Sequence, residues 1–183
     1  MPPALLVINI CVAEVLTMVG TWTFPALLPT FISDWNLTNT EAGWLAGIFL
    51  GGYAVSVPLL VSLTDRFDAR LVYMGGSALA ALSLVGFAFL ADGFWPAVIL
   101  RTLSGVGLAA TYMPGLRMLV DRYVGEKRSR GVAFYTASFS LGTAVSFFVS
   151  GEIGEAFGWK IAVIVAAICA ILAILLVAFT LRP

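Results

Sequence analysis

The sequence predicts an all-α integral membrane protein, a single bundle of six transmembrane helices. Of its 183 residues, 61% are hydrophobic and only 11% are charged, whereas a soluble domain is about 25% charged. The mean hydropathy is +1.02, and the apolar runs are long and continuous, which favours spanning helices over the alternating strands of a barrel. We therefore expect the lipid bilayer as a partner. Nucleic acid is not expected, because the net charge is zero.

Six apolar runs are each long enough to cross a hydrocarbon core of about 30 Å, which takes about 20 helical residues. They cover roughly 4–30, 41–63, 70–91, 95–121, 131–151 and 160–181 within one unit over 1–183. Thr38 and Glu41 have the spacing of a capping box and indicate where the second span begins. Pro96 fits the first turn of the fourth span. The starts of the second and fourth spans therefore each have a local signal.

The positions of Lys and Arg predict how the chain is oriented, because cytoplasmic loops are enriched in both. With the N-terminus inside, only Lys160 falls in an outer loop. The cytoplasmic side then holds Arg66, Arg70, Arg117, Arg122, Lys127, Arg128, Arg130 and Arg182. We expect both termini in the cytoplasm and the protein in the plasma (inner) membrane.

Two ionisable residues, Glu14 and Arg101, lie inside predicted spans. At 1.5 Å per residue they differ by about 6 Å in depth, a gap that an Arg side chain can bridge. Charged groups within a membrane usually mark a functional site. We expect Glu14 to take up and release a proton, and both residues to couple protons to a substrate. The alternative is a structural ion pair that fixes helix packing.

Polar side chains follow each of these charges at helical spacing and are candidates for lining a solute cavity. They are Thr17, Thr21 and Trp22 in the first span, and Ser104, Thr111 and Tyr112 in the fourth. For each hydroxyl, the alternative is a hydrogen bond back to its own helix. Pro25, Pro29 and Pro114 are expected to bend the same two spans.

Small residues recur at every fourth position, or nearly so, in two other spans. They are Gly43, Gly47 and Gly51 in the second span, and Ser138, Gly142 and Ser146 in the fifth. This spacing lets helix backbones approach closely. We expect an exposed packing surface for a second six-helix unit. The alternative is packing within this bundle.

A cluster of alternating charge interrupts the apolar sequence between the second and third spans. The stretch SLTDRFDAR carries Asp65, Arg66, Asp68 and Arg70. The bias of basic residues toward the cytoplasm accounts for the two arginines but not for Asp65. Acid and base alternating on a tight turn can pair with the ends of neighbouring helices.

This loop and the fourth span resemble motifs of the major facilitator superfamily (MFS). Residues 61–70 are similar to the motif G-x-L-A-D-R-x-G-R-K between that family's second and third helices, and residues 101–109 are similar to R-x-x-x-G-x-G-x-A on its fourth. The matching positions are Leu63, Asp65, Arg66, Arg70, Arg101, Gly105, Gly107 and Ala109. Asp68 stands where the family has Gly.

The resemblance implies the N-terminal half of a twelve-helix fold, one MFS half built as two three-helix inverted repeats. It implies a secondary active transporter of a small solute, coupled to protons, that works by alternating access with a second six-helix half. The first and fourth spans would line the cavity, and the second and fifth would face the other half. Asp65, Arg66 and Arg70, with Asp121 and Arg122, would form a cytoplasmic gate. No cofactor, metal or catalytic residue is expected.

Other functions fit the same residues. A non-transporting scaffold or solute receptor would keep the bundle and need no proton. A membrane enzyme is disfavoured because the chain has no His. Since the sequence stops after the sixth span, we expect either a truncated reading frame or a half-size protein that pairs with itself or with another half. One acid and one base leave open whether the solute is an anion, a cation or a zwitterion.

Overall fold

The computed structural model describes residues 3–180, and every regular element within that range is an α-helix. The helices are α1 Pro3–Met18, α2 Thr23–Ala26, α3 Leu28–Trp35, α4 Asn39–Leu63, α5 Ala69–Leu90, α6 Phe94–Val120, α7 Gly125–Phe157 and α8 Trp159–Thr180. The five from α4 to α8 are long and apolar enough to cross a membrane. The predicted helical membrane class is confirmed.

The helices α4, α5, α6 and α8 begin and end within two residues of the predicted spans, whereas α7 extends beyond its span at both ends. The predicted capping box at the start of α4 is confirmed. Thr38 Oγ1 accepts a hydrogen bond from the Glu41 N–H at 3.2 Å, and Glu41 Oε2 accepts from the Thr38 N–H at 2.8 Å. This reciprocal pair satisfies two backbone donors that the helix itself cannot serve.

The first span is not the single helix that the sequence predicts over 4–30. It is divided into α1, α2 and α3, with a turn over residues 19–22. Pro25 lies one turn beyond the break and has no N–H to donate to the Thr21 carbonyl, its partner in a continuous helix. Gly20 within the turn also has a low helix propensity. Where the sequence predicts a bend in the first span, the structure therefore has a division into three helices.

The bundle is arranged in layers around α1 and α6. The helix α6 packs against α4 and α5, and α1 packs against α7 and α8, while α5 and α8 also pack on each other. One end of the core is aromatic, with Phe31 in contact with Phe24, Trp35, Phe87 and Trp159. At the other end, buried side chains from α1, α5, α6, α7 and α8 surround Tyr73 and Tyr135.

Two glycines set the close approach of α4 and α6. A Cβ on Gly105 would overlap the Phe49 carbonyl oxygen, and a Cβ on Gly52 would lie 2.5 Å from the Thr102 carbonyl oxygen. Neither contact could be relieved by turning a side chain, because the obstructing atoms are backbone. Gly105 is one of the motif positions that carry the family resemblance, and this contact gives it a structural reason.

The two predicted small-residue faces have different environments. Gly43, Gly47 and Gly51 of α4 are exposed. On α7, by contrast, Ser138, Gly142 and Ser146 are buried, and a Cβ on Gly142 would lie 2.8 Å from Met18 Cβ. The prediction of an exposed packing surface on the fifth span is therefore wrong, because that face packs on α1.

The α4–α6 contact predicts that a glycine-to-alanine substitution has different effects on stability at Gly105 of α6 and at Gly47 of α4. We expect Gly105→Ala to lower the free energy of unfolding by about 1–3 kcal/mol, the usual cost of overpacking. Gly47→Ala should have no such cost, since a Cβ there meets no atom within 4 Å. Thermal unfolding in detergent measures both variants. Equal melting temperatures for the two would contradict the proposed backbone contact.

Candidate functional site

Glu14 is fully buried between α1, α6 and α7. Its Oε2 accepts a hydrogen bond from the Tyr135 hydroxyl at 2.8 Å, and the same hydroxyl lies 3.0 Å from the Tyr112 carbonyl oxygen. Its Oε1 is buried and has no hydrogen-bond partner within residues 3–180. A carboxyl with one unpartnered oxygen and no solvent access is a group suited to holding a proton.

Tyr73 on α5 faces this carboxyl, and Ser77 follows Tyr73 one turn later on the same helix. The Tyr73 and Ser77 oxygens are buried, and neither finds a hydrogen-bond partner in the described part of the chain. Thr17, one turn beyond Glu14, instead donates to the Glu14 carbonyl at 2.9 Å. Unpartnered buried oxygens are rare and usually have a functional or solvent-related reason. Glu14 Oε1 and the Tyr73 and Ser77 hydroxyls are therefore buried polar atoms that call for such a reason.

Arg101 lies elsewhere in the bundle and does not pair with Glu14. Its Nη1 donates to the Thr21 carbonyl and its Nε to the Leu45 carbonyl, each at 3.4 Å. Its guanidinium stands over the Phe49 ring at 4.6 Å and the Phe24 ring at 5.2 Å. No ion pair joins Arg101 to an acid among residues 3–180. The ion pair between Glu14 and Arg101 that the sequence allowed is therefore absent from the described residues.

The reason for the position of Arg101 is the break in the first span. Because Pro25 cannot donate to the Thr21 carbonyl, that oxygen needs another donor, and Arg101 supplies it. Two groups in the turn are served by α7: Ser146 Oγ donates to the Val19 carbonyl at 2.7 Å and accepts from the Trp22 N–H at 3.0 Å. A non-helical segment at membrane depth is tolerated only when protein groups supply such partners.

Four of the six predicted cavity residues line one small internal space, which Phe49, Leu84 and Leu108 help to close. They are Thr17, Thr21, Ser104 and Thr111, and all four are buried. The Thr17 and Thr111 hydroxyls bond back to their own helices, and Ser104 shares a 2.7 Å hydrogen bond with Ser83. These residues lie inside the bundle. Trp22 and Tyr112, both half-buried, are the two that reach its surface.

A long groove of about 780 Å³ runs between α1 and α7. Its walls are almost wholly apolar, and its charged members lie near the start of α7. The lining includes Val7, Ile8, Cys11, Val12, Phe134 and Leu141, with Lys127 and Arg130 at the α7 end. Such a groove can hold the apolar part of a solute or of a neighbouring helix.

The charged loop meets the end of α6 through Arg117. Its Nη1 lies 2.6 Å from Asp65 Oδ1 and 2.8 Å from Thr64 Oγ1, and its Nε lies 3.4 Å from Asp121 Oδ2. Of the predicted gate residues, Asp65 and Asp121 therefore share one cation. This connects the α4–α5 loop to α6 across the end of the bundle.

The other predicted gate residues lie outside this cluster. Arg70 Nη2 donates to the Ala178 carbonyl on α8 at 2.8 Å, and Arg122 Nη1 donates to the Met118 carbonyl of its own helix at 3.1 Å. Arg66 is exposed. Asp68 caps α5 by accepting from the Arg70 N–H at 2.8 Å, which explains an acid at this position.

Sequence reasoning missed Tyr135 and Tyr73 as neighbours of Glu14. A signal for Tyr135 was present, since Gly131, Tyr135, Ser138 and Gly142 follow helical spacing and share the buried face of α7. Tyr73 had no comparable signal, because apolar or small residues occupy several faces of its predicted helix.

Comparison with known protein families gives a match over most of the chain. Residues 10–183 match the family described as Major Facilitator Superfamily. The chain belongs to this superfamily. With five helices able to cross a membrane, this MFS chain is an integral membrane protein.

Several curated MFS relatives align with most of the chain. Protein spinster homolog 1 from Homo sapiens is 25% identical over 181 residues, covering 98% of this chain and 34% of the relative. The niacin transporter NiaP from Acinetobacter baylyi is 29% identical over 159 residues, covering 82% and 36%. A probable sphingolipid transporter, spinster homolog 1 from Arabidopsis thaliana, is 25% identical over 150 residues, covering 82% and 30%. The chain thus spans about a third of the length of the relatives that it matches.

The hydrogen bonds across the break predict a cost for losing Ser146. Ser146→Ala should leave the Trp22 N–H unpaired, at about 1–3 kcal/mol. It also removes one of two hydrogen bonds to the Val19 carbonyl, which keeps the Thr23 Oγ1 donor at 3.3 Å. Ser140→Ala, at an exposed position of the same helix, is the matched control. Unfolding of both variants in detergent tests this. A Ser146→Ala protein as stable as the control would refute the role given to this hydroxyl.

Proposed function

We propose that this MFS chain is part of a secondary active transporter of a small solute, coupled to protons and working by alternating access with a second six-helix half. Family membership over residues 10–183 supports transport. The observation that carries the proton coupling is the fully buried Glu14, whose Oε1 has no partner in the described residues. Relatives named as niacin and sphingolipid transporters support a solute as the cargo.

The helix contacts support the inverted-repeat architecture that the proposal needs. In such a repeat, the first span, α4 and α5 correspond in that order to α6, α7 and α8. The packing of α4 on α6 is then equivalent to the packing of α7 on α1. Likewise α5 on α6 is equivalent to α8 on α1, and α5 and α8 pack on each other. Such repeats let one bundle rock against another about a central site. In this proposal the protein lies in the plasma (inner) membrane, with the charged loops and both termini on the cytoplasmic side.

Exposed surfaces of the bundle support a second half, either a C-terminal half or a second copy. The exposed face of α4 carries Gly43, Gly47 and Gly51, which allow another helix to approach closely. The groove between α1 and α7 is the part of a solute cavity that this chain would supply. Its apolar walls favour a solute with an apolar body.

The Arg117 cluster is proposed as the cytoplasmic gate. It joins the α4–α5 loop to α6 through exposed and half-buried groups, so water can compete for each contact. Exposed ion pairs are weak because solvent screens them, so these contacts can break and re-form during a transport cycle. Asp65 therefore acts in the gate through Arg117.

Proteoliposomes containing the natural protein test the function. They are loaded with a pH-sensitive dye and given a pH gradient, with labelled niacin and a labelled sphingolipid as the first probes. Solute entry accompanied by proton movement supports the proposal. Solute entry without proton movement contradicts the coupling, and specific binding without entry favours the alternative of a receptor or scaffold.

Glu14→Gln should reduce proton-driven solute entry to background while solute exchange at equal pH persists. The amide keeps the size and a hydrogen-bonding group but cannot carry a proton across the cycle. Glu152→Gln, at an exposed acid of α7, is the control and should transport normally. Proton-driven entry that survives in Glu14→Gln would contradict the role of this carboxyl.

Asp65→Asn should slow transport about twofold to fivefold, because it weakens an exposed contact between the α4–α5 loop and Arg117, while leaving membrane insertion unchanged. The control Glu126→Gln breaks the 2.7 Å ion pair with Arg130. Because both residues of that pair are on α7, the pair connects no two helices, and this variant should transport at the normal rate. Initial rates, normalised to inserted protein, compare the two. Equal rates for both variants would exclude Asp65 from the gate.

A further inference from the structure

The hydroxyl of Tyr135 faces two acceptors but carries one proton. It lies 2.8 Å from Glu14 Oε2 and 3.0 Å from the Tyr112 carbonyl oxygen. A hydroxyl group donates one hydrogen bond and accepts others. Both contacts can be hydrogen bonds at the same time only if two protons are present. One of the two acceptors must then supply the second proton. The carboxyl of Glu14 is the only one of the two that can.

We propose that Tyr135 is a positioning residue that transmits the protonation state of Glu14 to the backbone of α6 at Tyr112. With Glu14 ionised, Tyr135 donates to the carboxylate, and the Tyr112 carbonyl lacks the tyrosine proton. With Glu14 protonated, the carboxyl donates to Tyr135 Oη, and Tyr135 donates to the Tyr112 carbonyl. One proton added at Glu14 thus adds one hydrogen bond to α6, with no atom displaced by more than a hydroxyl rotation.

The packing around Tyr135 holds the hydroxyl where both acceptors can be reached. Tyr135 is fully buried, and its ring stacks on the Tyr112 ring at 5.5 Å between centroids. A Cβ on Gly115 would overlap Tyr135 Oη, so the hydroxyl occupies space that only glycine leaves free. Because the ring is confined, the hydroxyl proton is the part of this residue that can change partner.

The receiving carbonyl lies in a part of α6 that can respond. Pro114 stands inside the helix two residues after Tyr112 and removes one backbone hydrogen bond from that turn. Tyr112 itself is half-buried. A change in the hydrogen bonding of its carbonyl therefore acts on a turn of α6 that already lacks one backbone hydrogen bond.

Glu14 is a carboxyl that lies among tyrosine and cysteine side chains. The titratable side chains that face it are Cys11 on α1, Tyr53 on α4, Tyr73 on α5 and Tyr135 on α7, with Tyr112 on α6 beside Tyr135. Tyrosines and cysteines are ordinarily neutral at pH 7.

Charges on the remaining helices lie away from this carboxyl. Arg101 of α6 bonds to the Thr21 and Leu45 carbonyls, and Arg117 bonds to Asp65. The helix α8, which also packs on α1, has Lys160 and Cys169 as its titratable residues. A pH-dependent change at Tyr112 therefore traces to Glu14.

The inference rests on the proposed role of Glu14 as a proton carrier, and infrared spectroscopy separates the two. The protein is labelled with tyrosine carrying ¹³C at the carbonyl and measured in lipid nanodiscs between pH 5 and 9. Subtraction of the Tyr112→Phe spectrum, which loses one of the five labels, isolates the Tyr112 carbonyl band. Subtraction of the Glu14→Gln spectrum isolates the carboxylic acid band of Glu14.

The expected result is that the Tyr112 band moves to lower frequency as Glu14 gains its proton, since a new hydrogen bond weakens the carbonyl stretch. The shift should be lost in Tyr135→Phe and retained in Tyr53→Phe, a control at a half-buried tyrosine of α4. A Tyr112 band that stays fixed while Glu14 titrates overturns the inference and leaves the proton carrier intact. A shift that survives in Tyr135→Phe also overturns it, and absence of any Glu14 titration overturns both.

The wild-type measurement decides the matter even if Tyr135→Phe does not fold. Correlated movement of the Glu14 and Tyr112 bands in the unmodified chain supports the link, and independent movement refutes it. A second variant, Cys169→Ala, removes a half-buried thiol on the far helix α8 and should leave both bands unchanged. Loss of the correlation in that variant would mean that general packing, rather than Tyr135, joins the two groups.

Discussion

The first span is broken at membrane depth, and its free backbone groups must find partners within the protein. The turn at residues 19–22 leaves the Val19 and Thr21 carbonyls and the Trp22 N–H without helical partners, and hydrocarbon offers none. Ser146 on α7 serves two of these groups and Arg101 on α6 serves the third. This requirement fixes where α6 and α7 lie against the first span, and the polar features of the core follow from it.

The two buried charges belong to different parts of this arrangement. Arg101 satisfies a carbonyl left open by Pro25 and is covered by the Phe24 and Phe49 rings, so its contacts explain it as a structural residue. Glu14 has a single donor, Tyr135, and an oxygen without a partner in the described residues. No backbone group requires a carboxylate there. The asymmetry makes Glu14, rather than the pair, the centre of the candidate site.

Much of the architecture could be predicted because membrane helices are constrained locally. Apolar run length predicted four helices to within two residues, and Thr38 with Glu41 predicted a cap that the structure contains. The break in the first span was missed because Pro25 and Pro29 are compatible with a bent helix as well as with a divided one. The pairing of Asp65 with the end of α6 was predicted. The partners of Arg70 and Arg122 were not, because they depend on which carbonyl each side chain can reach in the fold.

By itself, the sequence determined the helical membrane class, the family, the number of long spans after the first, and the residue types that could hold a charge in the bundle. Composition and period decide these, because a bilayer admits few backbone structures. Only the tertiary structure decided that α7 turns its small residues onto α1 while the glycines of α4 stay exposed, and that Glu14 meets Tyr135 rather than Arg101. Those outcomes depend on the relative rotation and depth of separate helices, which are set by side-chain packing between segments far apart in the chain.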